Sequence, residues 1–408
     1  MIFESEFPRI IESKLLNAAD LPALLQAGTI VTIVAKLGAG PVSSLLGPWN
    51  IGWVSLLTTG TIILCCGLNL LPVFTAWCLM RACQSCTWPA SNSLIDAWFD
   101  TDQHGRAWGI MSTSSRSGIM FITAALAMLG STVSKNFIAV GTGGVVLSVI
   151  IAFCLHEEPL GRGSTTSSST SSSTTTTTTT TTIREVDGSN QKPMSLWTEV
   201  VQSTFQQPTF YLAVLVQATV TPVAEFQSQL PLWLSSNNAT ASFINQGVAS
   251  WHLGVLSSVV IAGVLFDKSS PLQRGFLLGV PMLFNAFLFY IALSYPGHLM
   301  DLPWLKLFIS FLLGASYAPA NYLMMTTWAM RYATRRAMPI ASAGVDVCGY
   351  IGTVVLLQLQ ARSNSTNPTN TLMKYLSVSG LICSAASMLL FSIEARHAVQ
   401  KNDVKKRQ

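Results

Sequence analysis

Eleven separate stretches of this chain are apolar for about 20 residues each, the length a helix needs to cross a bilayer. Lipid offers no hydrogen-bond partner for a backbone N–H or C=O, so each stretch must satisfy its own backbone as a helix. The spans are read as 21–47, 51–68, 70–91, 106–130 and 134–155, then 209–234, 248–266, 275–294, 304–328, 337–360 and 372–393. The predicted fold class is therefore all-α and polytopic. Composition agrees: 50% of residues are hydrophobic and 10% are charged, where a soluble domain carries roughly a quarter charged residues. That balance excludes an ordinary soluble enzyme, a nucleic-acid binder and a disordered chain. The formal net charge of +5 is not gathered into a stripe that would track phosphates.

The longest polar interruption separates five spans from six. It contains Ser164 to Thr182, nineteen consecutive Ser or Thr, a tract with no apolar surface to bury and expected to be disordered. An amphipathic stretch from Met194 to Phe205 follows. The expected organisation is an N-terminal segment over 1–20, a helical bundle over 21–155, a linker over 156–207, a second bundle over 208–394 and a basic tail over 395–408. Glu4, Glu6, Glu12 and Asp20 make the first segment too acidic for a signal peptide. Placing the linker and the C-terminus in the cytoplasm puts 14 Lys and Arg on that side and 6 on the other, as the positive-inside rule requires. The sequons at Asn238 and Asn364 then fall on the non-cytoplasmic side, which points to the plasma membrane or endoplasmic reticulum, with an organelle membrane as an alternative. Eight Cys in so long a chain do not form a disulfide framework. Cys83 and Cys86, a CxxC inside an apolar run, are read as small packing residues.

Two stretches in different halves look alike. WPASNSLIDAWFDTDQHGRAWGI starts at Trp88, and APANYLMMTTWAMRYATRRAMPI starts at Ala318. Pro89 precedes Arg106 by the same distance as Pro319 precedes Arg336. Parallel halves joined by a long loop mark one transporter architecture. A second pair of segments also corresponds, GPVSSLLGP from Gly40 and GVLFDKS from Gly263. Both look like a short turn with the pattern Gly-x-x-x-Asp-Arg/Lys. The second keeps Asp267 and Lys268, whereas the first has Ser44 in place of the acid.

These features resemble the major facilitator superfamily. QSCTWPASN from Gln84, Trp98-Phe99, GRAWGIMSTSSRSG from Gly105, VAKLGAGPVS from Val34 and Gly349 to Gly352 most resemble the organophosphate:phosphate antiporter family, which includes glycerol-3-phosphate and sugar-phosphate exchangers. The resemblance implies two bundles of parallel-repeat helices and a substrate site between them. It places span 21–47 in the family's second helical slot. That implies that the family's first helix is lacking, accounts for the odd count, and puts the N-terminus outside. Related carboxylate transporters share several of these patterns.

Ionisable groups inside spans are expensive, about 2.5–3.5 kcal/mol at the bilayer centre, and so mark function or pairing. Lys36, Arg81, Arg116, Glu225 and Asp346 qualify. The resemblance implies that Lys36 anchors phosphate; the competing reading is an ion pair with Asp346. Ser114 and Ser115 stand where the family often has His, and Arg116 follows them as a candidate substrate contact. The competing reading has Arg116 facing Glu225 or a backbone carbonyl. Arg81 either faces substrate or pairs structurally. Glu225 and Asp346 are coupling acids or ion-pair partners. The family's two clamp arginines are absent: one belongs to the missing helix, and Val223 stands at the place of the other.

The expected function is secondary active transport of a small organic anion, a phosphate ester exchanged for phosphate being one form, by alternating access. The chain is expected to be no enzyme, to need no metal or cofactor, and to act as a monomer whose partners are its substrate and the bilayer, not nucleic acid. Alternatives are a non-transporting pseudo-carrier or receptor, a truncated gene model, and a carrier of a carboxylate or neutral solute.

Overall fold

A computed structural model describes Ile10, Leu15, Leu16 and residues 21–100, 102–129, 132–154, 195–235, 241–294, 302–334, 337–362 and 368–407. The Ser/Thr tract, Asn238, Asn364, Arg336 and the side chain of Ser44 lie outside the described residues. Every described element is a helix or turn. The first half contains α1 (Leu21–Leu46), α2 (Pro48–Gly67), α3 (Val73–Gln84), α4 (Thr87–Trp98), α5 (His104–Leu129) and α6 (Val133–Cys154). Then come α7 (Leu196–Val200), continued by a π-turn at Val201–Phe205, and α8 (Pro208–Glu225). A 3-10 turn at Phe226–Ser228 leads into α9 (Leu230–Ser235). The remainder is α10 (Ala241–Lys268), α11 (Pro271–Ser294), α12 (Pro303–Tyr332), α13 (Met338–Arg362) and α14 (Pro368–Arg407).

Nine described helices are long and apolar enough to span a membrane. The two other expected spans depart from that standard for different reasons. The predicted span 70–91 is two helices, α3 and α4, broken at Ser85 and Cys86, and it runs on to Trp98. Pro89 contributes to the break, because a proline lacks the N–H that would bond four residues back and its ring crowds the carbonyl there. The carbonyls freed there are satisfied by side chains: Ser55 Oγ donates to Cys83 O at 2.6 Å and Ser85 Oγ to Arg81 O at 2.7 Å. The other, α5, carries the polar run Ser112 to Ser117. Its partner in the repeat behaves differently, since Pro319 sits inside the uninterrupted α12. The predicted span 209–234 is likewise broken, between α8 and α9. The last predicted span, 372–393, continues as helix to Arg407.

The two expected turn motifs are not loops. Gly40 lies within α1, and Gly263, Asp267 and Lys268 lie in the last turns of α10. Gly40 and Gly263 fall inside the apolar spans 21–47 and 248–266, and α10 runs two residues past its span to take in Asp267 and Lys268. Because the helices alternate in direction, the turns after Leu46, Phe99, Lys268 and Tyr332 share one end of the bundle with Cys154 and Ser195. This is the linker end.

Side chains such as Val34, Leu37, Phe121, Phe153 and Phe287 are exposed on the outer surface, where lipid replaces water as their surroundings. The halves meet through α1 against α13 and α5 against α10. At α5–α10 the backbones nearly touch: a Cβ on Gly105 would lie 2.7 Å from Gly263 O. Small residues permit such approach, and helices in lipid associate through this packing rather than through the hydrophobic effect. The N-terminal segment also contributes to the core, as Ile10 and Leu16 pack in one cluster with Leu24, Ile63, Trp77 and Phe137.

Candidate functional site

Both helix breaks border one cavity between the halves. Its volume is about 150 Å³. Its walls come from α1, α3, α4, α5, α8, α12 and α13, with Gln227 from the turn after α8. Broken helices beside a central site are a recurrent transporter device, because irregular backbone at that depth is tolerated only where it lines a cavity.

The structure gathers six of the seven ionisable and hydroxyl residues expected there: Lys36, Arg81, Ser115, Arg116, Glu225 and Asp346 all line the cavity. Ser114 does not. It is exposed on the next face of α5, and its hydroxyl donates to Met111 O at 2.6 Å. Successive helical residues point about 100° apart, so only one of the two serines can face inward. Val223 is fully buried away from the cavity.

Lys36 Nζ, from α1, forms a hydrogen-bonded ion pair with Asp346 on α13. Lys36 is 2% exposed. A buried charge persists only with a partner, and this partner belongs to the opposite half. The Lys36 ammonium also stands 5.3 Å from the centre of the Tyr350 ring. The Arg81 guanidinium approaches the same ring at 5.9 Å and Trp77 at 5.5 Å. Tyr350 thus offers its ring to two cations, an electrostatic attraction that strengthens when water is excluded.

Arg116 donates from Nε to Tyr322 Oη at 2.9 Å and from Nη1 to Gln227 Oε1 at 2.5 Å. Its partners therefore include side chains of the second half that sequence reasoning did not name. Tyr322 belongs to α12 and Gln227 to the turn after Glu225. Further unanticipated wall residues are Thr32, Gln84, Trp88, Gln217, Thr221, Asn321 and Tyr350. Some carried a signal. Gln217 and Thr221 are polar positions one turn apart in an apolar span, and Gln217 Nε2 donates to Thr221 Oγ1 at 3.0 Å. Asn321 lies two residues after the repeat's Pro319, and Tyr350 lies inside the Gly349 to Gly352 match.

The charged wall residues number three cations and two carboxylates, an excess of one positive charge. Amides, hydroxyls and aromatic faces supply the rest of the polar surface. The arrangement can hold a small anion while offering hydrogen bonds and a ring face to the remainder of the molecule.

At the linker end the halves are fastened together. Asp267 caps the start of α5: Oδ1 accepts from Gly105 N at 2.7 Å and Oδ2 from Arg106 N at 2.8 Å. Arg106 Nε lies 3.5 Å from the same carboxylate. The negative charge sits at the positive end of the helix dipole, where it is most favourable. On the symmetry-related side the described cap is a hydroxyl, not an acid. There Thr334 caps α13, its hydroxyl accepting from Ala337 N at 3.1 Å. Gly40 lets α1 approach closely, since a Cβ there would lie 2.7 Å from Ile340 Cα. Asn92 adds a hydrogen bond to Ser342 across the same seam. These contacts hold the halves together at the linker end.

The Major Facilitator Superfamily model matches residues 14–357, most of the chain. Among solved structures, the chain is similar to the Major Facilitator Superfamily transporter FucP in the outward conformation. The TM-score is 0.65 at 11% identity, covering 95% of this chain and 94% of that one. It is also similar to a variant of the E. coli Fucose:proton symporter FucP, with TM-score 0.62 at 11% identity, covering 95% and 97%. At that identity the likeness concerns the fold alone. Fold, repeat and family match agree: the chain belongs to the Major Facilitator Superfamily and is a multi-pass membrane transporter by family.

Proposed function

We propose that the protein carries a small organic anion by secondary active transport, with the substrate held between the halves at Lys36, Arg81 and Arg116. The observation that carries this reading is the cavity's excess of positive charge, contributed by helices of the first half and faced by acids of the second. A phosphate ester fits this chemistry, because guanidinium groups can bind phosphate oxygens through paired N–H donors and an ammonium adds a point charge. Gln84, Gln217, Asn321 and Ser115 would serve the hydroxyls of a sugar or glycerol moiety, and Trp88 and Tyr350 its apolar face.

The Lys36–Asp346 pair suggests how binding and movement are linked. An incoming anion competes with Asp346 for Lys36, and so loosens a contact that joins α1 to α13 across the halves. Reclosing around the bound anion then exchanges one set of charge contacts for another. Such differential contact is what a ligand needs to shift a conformational equilibrium. The chain would act as an exchanger for phosphate if the return step also required an anion.

The test is uptake into proteoliposomes of radiolabelled phosphate, sugar phosphates and dicarboxylates. Lys36→Ala is expected to abolish anion uptake and Lys36→Arg to retain part of it. Equal uptake by wild type and Lys36→Ala, at matched incorporation, would remove Lys36 from the site.

A further inference from the structure

A second, smaller cavity of about 50 Å³ lies beside the first. Arg81 and Glu225 line both. Four helices fix the order of the two spaces along the bundle axis. On α1, which runs toward the linker end, Leu25 and Thr29 line the small cavity and Thr32 and Lys36 the large one. On α3, running the same way, Trp77 lines only the small cavity and Gln84 only the large one. On α13, which runs the other way, Asp346 and Tyr350 come first, then Thr353 and Leu356. On α8 and its following turn, Gln217 precedes Ser228 and Gln229. All four agree. The small cavity lies on the side away from the linker end, the side opposite the Asp267 cap and the Gly40 contact.

We propose that the small cavity is an outer chamber on the route into the central site, and that Arg81 and Glu225 form a charged neck between the two. This inference rests on the transport reading, which requires a route. The neck joins a cation of the first half to an acid of the second, so any solute passing from chamber to cavity moves between opposite charges. Arg81 attracts an arriving anion and Glu225 repels it. In a narrow, water-poor passage such fixed charges alter arrival rates by roughly ten-fold or more. The chamber's own walls are mixed, with Thr29, Ser228 and Gln229 beside Leu25 and Leu357. Among the described residues its only charged wall residues are Arg81 and Glu225, so selection by charge falls at the neck.

Site-specific labelling of the purified chain tests this without knowledge of the substrate. Ser228→Cys reports on the outer chamber and Ser85→Cys on the central cavity. Each is reacted with an anionic and a cationic methanethiosulfonate of similar size, and labelling is read at that position by peptide mass spectrometry, apart from the native cysteines. Ser228→Cys is expected to react faster than Ser85→Cys, with little dependence on the neck. At Ser85→Cys the anionic-to-cationic rate ratio is expected to fall about ten-fold with Arg81→Gln and to rise about ten-fold with Glu225→Gln. Arg81→Lys, which keeps the charge, is expected to keep the ratio. In the double variant, prior capping of Ser228→Cys with a bulky maleimide is expected to slow labelling of Ser85→Cys. An unchanged ratio at Ser85→Cys, equal changes at both reporters, or labelling that ignores the cap would overturn the proposal. Neck-dependent labelling without anion uptake would sink the anion reading alone; anion uptake with neck-independent labelling would sink the neck alone.

Discussion

Replacing Lys36 by Met leaves the Asp346 carboxylate in a site where the whole residue is 7% exposed. Replacing Asp346 by Leu leaves the Lys36 ammonium, buried more completely still, without its carboxylate. Removing one partner of a buried pair costs about 3–5 kcal/mol, because the other charge keeps its desolvation penalty. A lone charge at mid-bilayer gives a similar figure, about 2.5–3.5 kcal/mol. Removing both charges with apolar groups of similar volume is often neutral or stabilising. The double variant Lys36→Met with Asp346→Leu is therefore expected to lie within about 1 kcal/mol of wild type, or above it. The two substitutions should then be non-additive by more than about 3 kcal/mol, a factor above roughly 100 in the folding equilibrium. Detergent-purified wild type, both single variants and the double variant would be compared by SDS titration, with thermal melting as a check. All three variants should lose anion uptake, so stability and function separate in the double variant. Additivity within about 0.5 kcal/mol would refute the reasoning, since distant, independent sites behave that way.

Three further outcomes are expected. Tyr322→Phe removes the hydroxyl that accepts from Arg116, a hydrogen bond to a charged group worth about 1.5–3 kcal/mol; weaker substrate binding, read as a raised half-saturation concentration, checks it. Asp267→Asn removes the charge that caps α5, worth about 1 kcal/mol, and should shift the halves roughly five-fold toward opening at the linker end, measured by spin-label distances between Gln103 and Ser269. Gly352→Ala would place a Cβ 2.1 Å from Ala218 O and force α13 from α8, at a cost of about 1–3 kcal/mol in SDS titration. Gly38→Ala, whose Cβ would meet nothing within 4 Å, serves as the control and is expected to stabilise by about 0.5–1 kcal/mol.

The hydrophobic pattern determined the class of this protein almost alone. A run of about 20 apolar residues in lipid has one backbone solution, so helical class and the rough position of each span follow from local sequence. The Pro89 and Pro319 repeat carried the two-half plan, and five charges in apolar spans pointed to the region of the site, because each is too costly to lie there without purpose. Local sequence could not say where helices extend past their apolar cores. Asp267 and Lys268, just past the apolar span 248–266, therefore read as turn residues although both lie in the last turn of α10. Nor could it decide between partners. Lys36 and Asp346 are 310 positions apart, and whether an isolated span charge meets an acid, a tyrosine or substrate depends on how seven helices converge. The same holds for Ser114 and Ser115, adjacent in sequence yet on different faces of α5 once its rotation about its own axis is fixed. Tyr322, Tyr350 and Gln227 are ordinary residues in sequence. They became part of the site because packing at the Gly105–Gly263 and Gly40–Ile340 contacts brings the halves close enough for these side chains to reach charges of the other half.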